Sequence, residues 1–160
     1  EDTLLGSFLP SYRRRPKRRV ITAPKFYFSD VGIVNFLARR GRIVQGSELF
    51  GKAFENLVYH ELRTYNVYRE KYAELYFWRL SSGIEVDFIV NHVDCAVECK
   101  GSNKINSSHL KGLRHFADEY PGVTRKIIVS LDEKNRKTDD GIEIIHFEDF
   151  AEQLWKGEIF

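Results

Sequence analysis

The stretch that decides the fold is residues 84–100, which read IEVDFIVNHVDCAVECK. Its first part, Ile84 to Val90, alternates polar and apolar residues as a half-buried strand does. Its last part, Val93 to Lys100, is a second strand-like run. Asn91 and His92 lie in the turn region between the two runs. The pattern therefore predicts two consecutive strands, which a short turn can join as antiparallel neighbours.

Charged side chains recur at strand spacing within this pair. Because side chains alternate along a strand, Glu98 and Lys100 are expected on one face of the second run. In the first run Asp87 is expected on the face of Glu85 and Ile89, opposite Phe88. Pairing of the strands would bring Asp87 near Glu98 and Lys100. Two carboxylates on a central strand repel each other and lose hydration, and a divalent cation would remove that cost. Hard oxygen ligands are those that Mg²⁺ prefers, so the pattern predicts a Mg²⁺ or Mn²⁺ site.

The same residues supply what phosphodiester hydrolysis needs. A metal ion lowers the pKa of a bound water and neutralises a phosphate oxygen. Lys100, one step beyond the metal ligand, could orient or deprotonate the water and counter the developing negative charge. Glu55 lies at the margin of the apolar stripe of a predicted long helix, where it could close the site from the far side.

The flanking sequence predicts the elements around this pair. Asp30 and Ser29 offer N-cap oxygens to a short helix. The remaining predicted elements are a helix from Ser47 to Arg69, a strand from Leu75 to Leu80, a helix from Ser107 to Tyr120, strands at Lys126 to Leu131 and Ile142 to Phe147, and a closing helix from Glu148 to Trp155. The order helix, three strands, helix, strand, strand, helix favours an α/β fold with a mixed central sheet flanked by helices.

A basic run separates two strand-like segments near the start of the chain. Residues 4–12 and 20–28 are rich in aromatic and β-branched residues, which predicts a β-hairpin with a positive tip. The run comprises Arg13, Arg14, Arg15, Lys17, Arg18 and Arg19, with Pro16 near its middle. The rest of the chain has 19 Lys and Arg against 23 Asp and Glu. So concentrated a charge fits a nucleic acid, although a solvated loop or a contact with an acidic domain would have the same composition.

The cysteines and the apolar runs bear on location. Cys95 and Cys99 lie on one face of a predicted strand, roughly 13 Å apart, too far for a disulfide. We therefore expect a reducing, cytoplasmic setting. No apolar run approaches the ~20 residues of a membrane span, so we expect no membrane partner. The sequence begins with Glu and contains no Met, from which we expect a fragment of a longer protein.

Glu55, Asp87 and the triplet Glu98-Cys99-Lys100, in this order of elements, resemble the PD-(D/E)XK nuclease superfamily. The resemblance implies a restriction-endonuclease-like core in which Asp87 and Glu98 bind the metal and Lys100 is catalytic. The backbone carbonyl of Cys99 would be a further ligand, and Glu55 would bind through water or a second ion. The chain departs from the superfamily motif at Val86, which stands where a proline is usual.

Residues 25–32, 51–58, 85–88 and 97–100 also resemble a domain found at the C-terminus of prokaryotic AAA-type ATPases. That resemblance implies an N-terminal ATPase domain in the same native chain. It divides the present sequence into a basic hairpin at 1–28, a possible remnant wing of a winged-helix segment, and a nuclease-like domain at 29–160. No Gly-rich loop with the P-loop spacing occurs, so we expect no ATP site within these residues.

Two functional hypotheses follow. The first is a metal-dependent phosphodiesterase acting on nucleic acid, which we expect to be DNA. The basic run, together with Lys104, Lys111 and Arg114, would contact its phosphates. Such contacts hold the phosphate backbone without reading bases. The second is a catalytically silent docking module for nucleic acid or protein, in which Lys100 forms a salt bridge with Glu98 or Asp87. A zinc site from His92, Cys95, Cys99 and His109 is disfavoured, because the cysteines have strand spacing and no paired-ligand motif.

Overall fold

The computed structural model describes residues 5–14 and 19–160. The helices are α1 (Val31–Leu37), α2 (Glu48–Tyr68), α3 (Lys111–Glu119) and α4 (Phe147–Lys156). The strands are β1 (Gly6–Leu9), β2 (Lys25–Phe28), β3 (Leu75–Arg79), β4 (Glu85–Val90), β5 (Cys95–Lys100), β6 (Arg125–Ser130), β7 (Arg136–Lys137) and β8 (Ile142–His146).

The central sheet has six strands in the order β3-β4-β5-β6-β8-β7. Strands β3, β4 and β5 form an antiparallel meander, whereas β5, β6 and β8 run parallel to one another. The parallel connections pass through α3 and through the short edge strand β7, which pairs antiparallel with β8. The predicted α/β fold with a mixed central sheet is confirmed. Strand β7 was not predicted, because two residues are too few for a periodic pattern.

Helices cover both faces of this sheet. Helix α2 begins after Ser47, whose side chain accepts a hydrogen bond from the backbone of Phe50, and it buries Phe54, Val58 and Leu62 on one face. Helix α4 packs on the same face. On the opposite face α3 buries Leu113 and Phe116, after a 3₁₀ turn at Ser107–Leu110 that had been expected to be α-helical. The result is a layered core in which each strand of the meander has an α2 side and an α3 side.

The N-terminal hairpin is shorter than predicted. Strands β1 and β2 pair antiparallel from Gly6 with Phe28 to Leu9 with Lys25. Beyond Leu9 the chain leaves its partner, because Ser11 and Val20 instead form bridges along the free edge of β3. These bridges cover backbone groups that an edge strand would otherwise expose. The tip residues Arg15, Lys17 and Arg18 lie outside the described part of the chain.

The hairpin shares the core of the larger unit. Leu9 and Tyr27 are buried in the same cluster as the apolar residues of α2 and α4. The Tyr27 ring stacks on Tyr59 of α2 with ring centroids 4.2 Å apart. The hairpin therefore packs on α2 and shares its core, although the resemblance assigns residues 1–28 and 29–160 to different units.

Helix α1 begins after Asp30, as predicted from its capping side chain. It buries none of its residues, and Phe36 and Leu37 are largely exposed. Across residues 5–14 and 19–160, no helix combines the length and the apolar character that crossing a membrane requires.

Candidate functional site

A β-bulge lies at the centre of the candidate site. On the β3–β4 pair, Tyr76 is opposite Ile89 and Trp78 is opposite Val86, so two residues of β4 face one residue of β3. The two are Asp87 and Phe88. A bulge interrupts strict alternation, and bulges commonly re-aim side chains beside active sites. The expectation that Asp87 shares a face with Ile89 and opposes Phe88 was therefore wrong: Ile89 packs on the α3 side, whereas Phe88 packs on the α2 side.

The β4–β5 ladder ends next to this bulge. Its register runs from Val90 with Cys95 to Phe88 with Val97 and goes no further. Beyond that point the side chain of Asp87 replaces a backbone partner, because its Oδ2 accepts a hydrogen bond from the Cys99 N–H at 2.9 Å. The charged ends of β4 and β5 are therefore connected by the Asp87 side chain and not by backbone–backbone hydrogen bonds.

The other oxygen of Asp87 belongs to a cluster on the α2 side. The Lys25 ammonium lies 3.1 Å from Asp87 Oδ1 and 2.9 Å from Glu55 Oε1. Glu55 Oε1 also accepts a short hydrogen bond from the Tyr27 hydroxyl. Glu85 Oε2 is 3.9 Å from the same ammonium. The hairpin therefore delivers one cation and one hydroxyl to the carboxylates of α2 and β4.

Glu98 and Lys100 are placed on the α3 side. The Lys100 ammonium lies 2.6 Å from Glu98 Oε1, which is the ion pair considered above as the alternative to a metal site. Among the described residues, Glu98 Oε2 has no hydrogen-bond partner, and it is buried next to Gly112 of α3. Both residues line an open cleft of about 300 Å³ together with Glu85 and Lys111.

Burial and like charges perturb the ionisation of this site. Burial, and then the nearby charge of Asp87, raise the pKa values of both Glu55 and Glu98. Burial alone would lower the pKa of Lys25, but the charges of Asp87, Glu55 and Glu85 raise it above its usual value. Lys100 shows the same balance, since Glu98 raises its pKa against the effect of burial. Clusters of perturbed groups such as this are typical of functional sites.

The four predicted residues therefore form two groups joined at Asp87. Glu55 and Asp87 meet at the Lys25 ammonium, on the α2 side. Glu98 and Lys100 meet each other on the α3 side. The charge of Asp87 acts on both groups. The structure does not gather all four side chains around one point.

The donor set fits one kind of metal site and not another. Among the residues that the structure describes, no three His, Cys, Asp or Glu side chains are close enough together to hold a metal ion. Glu55 and Asp87, however, both contact one ammonium, so their oxygens lie within reach of a single cation. Mg²⁺ usually binds proteins through one or two carboxylates and keeps several waters. The site therefore suits a Mg²⁺ or Mn²⁺ ion held by few protein ligands, not a closed cage.

The predicted phosphate-binding residues are dispersed. Arg13, Arg14 and Arg19 are exposed near β3, and Lys104 is exposed in the loop after β5. Lys111 lines the cleft of Glu98 and Lys100. Arg114 forms an ion pair with Asp140, whose Oδ2 lies 2.7 Å from its Nε.

Lys25, Tyr27 and Glu85 were missed as site residues by the sequence analysis. They belong to two of the stretches that carry the resemblance, residues 25–32 and 85–88. The spacing of Lys25 and Tyr27 on one strand places both side chains on the same face. That signal predicts that they act together, but only the packing of the hairpin on α2 shows against what.

The fold and the site define a mixed α/β domain with a buried cluster of carboxylates and lysines at a break between two central strands. A family profile described as "Domain of unknown function (DUF4143)" matches residues 50–150, and the chain belongs to this family. We found no significant match to the chain among curated proteins or among solved structures.

Proposed function

We propose that this domain hydrolyses phosphodiester bonds in DNA with the help of Mg²⁺ or Mn²⁺, as the nuclease-like C-terminal domain of a AAA-type ATPase. The observation that carries the proposal is the bulge at Asp87. It puts one carboxylate in contact with Glu55 through Lys25 and with the backbone of β5, where Glu98 and Lys100 follow. A buried carboxylate oxygen without a partner, such as Glu98 Oε2, is costly unless it serves a ligand.

Asp87 and Glu55, which both contact the Lys25 ammonium, would hold the metal ion with the backbone carbonyl of Cys99, and Glu98 would act from the α3 side through water or a second ion. The Cys99 N–H faces β4, and in an extended strand the carbonyl of the same residue faces the same way. When bound, the metal ion would lower the pKa of a water and neutralise charge on the phosphate.

Lys100 is the group of this chain that would meet the scissile phosphate. Its side chain is about one-third exposed and lines the cleft, while Glu98 fixes its ammonium from one side. Because its pKa is raised, Lys100 stays protonated and is better suited to donating hydrogen bonds to phosphate oxygens than to removing a proton. Lys111, on the rim of the same cleft, would add positive charge for the strand being cut.

Substrate binding beyond the cleft would rest on exposed cations. Arg13, Arg14, Arg19 and Lys104 are available on the surface and would contact phosphates without reading bases. Arg15, Lys17 and Arg18 belong to the same run in the sequence and are proposed to take part with it. We expect the resulting binding to be sensitive to salt.

A second candidate function is a catalytically silent module that docks nucleic acid or protein to the ATPase. One observation favours it: Lys25 forms ion pairs with Glu55 and Asp87, and Lys100 forms one with Glu98, without any added ion. In this case the carboxylates would hold the hairpin and strands in place and nothing more.

A plasmid-nicking assay with Mg²⁺ or Mn²⁺ separates the two functions. Hydrolysis predicts metal-dependent cleavage that falls at least about 100-fold in Lys100→Ala, the usual range for loss of one catalytic group. Lys137→Ala, on the exposed strand β7, is the matched control and should cleave as the wild type does. The silent module predicts no cleavage by any variant, with DNA binding that weakens in salt and on replacement of Arg13 and Arg14.

A further inference from the structure

Lys25 occupies a distinctive position in the site. Its ammonium contacts Glu55 Oε1 and Asp87 Oδ1 at hydrogen-bonding distance and lies 3.9 Å from Glu85 Oε2. The side chain is 20% exposed, so most of it is withdrawn from water. No other lysine that the structure describes is paired with three carboxylates. The position of its nitrogen is the one from which a single cation reaches both Glu55 and Asp87.

The hairpin fixes this position from two sides. Tyr27, two residues along β2 from Lys25, is stacked on Tyr59 and donates its hydroxyl hydrogen to Glu55. The Lys25 ammonium lies 5.6 Å from the centre of the Phe77 ring, whose strand is bridged to the chain that follows β1. Tyr27 therefore anchors the hairpin to α2 independently of Lys25, so release of the carboxylates would require only the Lys25 side chain to move.

We infer that Lys25 is a built-in competitor for the metal ion: the divalent cation and the Lys25 ammonium bind the same carboxylate oxygens of Glu55 and Asp87, so each must displace the other. This inference rests on the proposed metal-dependent function and names the residue that sets its metal requirement.

The metal ion and the Lys25 ammonium would share the oxygens of Glu55 and Asp87 and carry charge of the same sign. Mg²⁺ binds oxygen ligands at about 2.0–2.1 Å, closer than an ammonium does. With both cations on one pair of oxygens, they would repel each other over a few ångströms in a partly buried site, where such repulsion is poorly screened. The metal ion would therefore bind only as Lys25 moves away, and the affinity for metal would be lower than the carboxylates alone would give.

Mn²⁺ titration followed by electron paramagnetic resonance tests this competition. Lys25→Met removes the ammonium and keeps the length of the side chain, and we expect it to bind Mn²⁺ at least about tenfold more tightly than the wild type. Lys52→Met is the matched control. It removes the same net charge from a lysine of α2 that pairs only with Glu48 among the described residues, and its affinity should equal that of the wild type.

A measurement on the wild type covers the case in which Lys25→Met does not fold. Acylation of each lysine by an amine-reactive reagent is followed by mass spectrometry with and without saturating Mn²⁺. We expect Mn²⁺ to speed the acylation of Lys25 several-fold, since the ammonium loses its carboxylate partners, and to leave Lys52 unchanged.

The outcomes separate this inference from the proposed function. Mn²⁺ binding that is equal or weaker in Lys25→Met, or acylation of Lys25 that Mn²⁺ does not speed, overturns the competition and leaves the metal site standing. Absence of Mn²⁺ binding by both proteins at millimolar concentration overturns the competition together with the metal-dependent function.

Discussion

The two halves of the β4–β5 pair have opposite characters. In one half, Phe88–Val90 pairs in register with Cys95–Val97, and every one of these side chains is buried and apolar. In the other half, Glu85–Asp87 and Glu98–Lys100 do not pair with each other and carry three carboxylates and one lysine, with Asp87 and Glu98 buried. The same two strands thus pass from core to charged site within three residues.

The two halves differ in what burial contributes to the stability of the fold. Burial of apolar side chains contributes the main favourable free energy of folding. Burial of carboxylates costs free energy unless cations and hydrogen bonds compensate it, and replacing such groups by neutral ones is often stabilising. Buried carboxylates at the end of two central strands are therefore better explained by a role in binding than by a role in stability.

The largest loss of stability is expected in the apolar half. Phe88 is fully buried against Tyr27 and Tyr59. Phe88→Ala should lower the free energy of unfolding by about 3–5 kcal/mol, because it removes a large apolar side chain and leaves a cavity. Urea denaturation measures the change. Val67→Ala, at an exposed position of α2, should change the same quantity by no more than about 0.5 kcal/mol.

Asp87 should show a smaller, structural effect at the boundary between the halves. In Asp87→Ala the Cys99 N–H loses its acceptor and Lys25 loses a counter-charge. We expect the free energy of unfolding to fall by about 1–3 kcal/mol, the usual cost of leaving a buried polar group unsatisfied. Asp87→Asn retains an oxygen that can accept the N–H and should lose less in the same denaturation experiment. Equal losses of unfolding free energy in the two variants would show that the bond from the Cys99 N–H to Asp87 contributes nothing to stability.

In the charged half, neutralising Glu98 should be stabilising at neutral pH. Burial raises the pKa of Glu98, so on raising the pH the unfolded chain releases this proton first and the free energy of unfolding falls. Glu98→Gln resembles the neutral carboxyl. It should match the wild type near pH 4 and exceed it by about 1 kcal/mol at pH 7.

The pH series has an internal contrast. Bonds from Arg114 and Thr138 lower the pKa of Asp140, so the ionised form of Asp140 stabilises the fold above the ordinary carboxyl pKa. Asp140→Asn should therefore become less stable than the wild type as the pH rises, the opposite of Glu98→Gln. A Glu98→Gln variant that also loses stability with rising pH would show that the Lys100 pair outweighs burial.

Much of the fold could be predicted from the sequence because its signals are local. The N-cap at Asp30, the start of a long helix at Ser47 and the turn at Asn91 each depend on neighbouring residues. The bulge at Asp87 could not, because it depends on how β3 pairs with β4, and it reversed the faces beyond that residue. The same limit hid Lys25, which reaches Glu55 across 30 positions of the chain.

The central claim is that the Asp87 carboxylate is a ligand of a divalent cation. Calorimetric titration of wild type and Asp87→Asn with Mn²⁺ tests it most directly, since the amide keeps the shape of the side chain and removes its charge. We expect saturable binding at one site in the wild type and at least about tenfold weaker binding in Asp87→Asn. Equal binding by the two proteins, or none by the wild type, would contradict it.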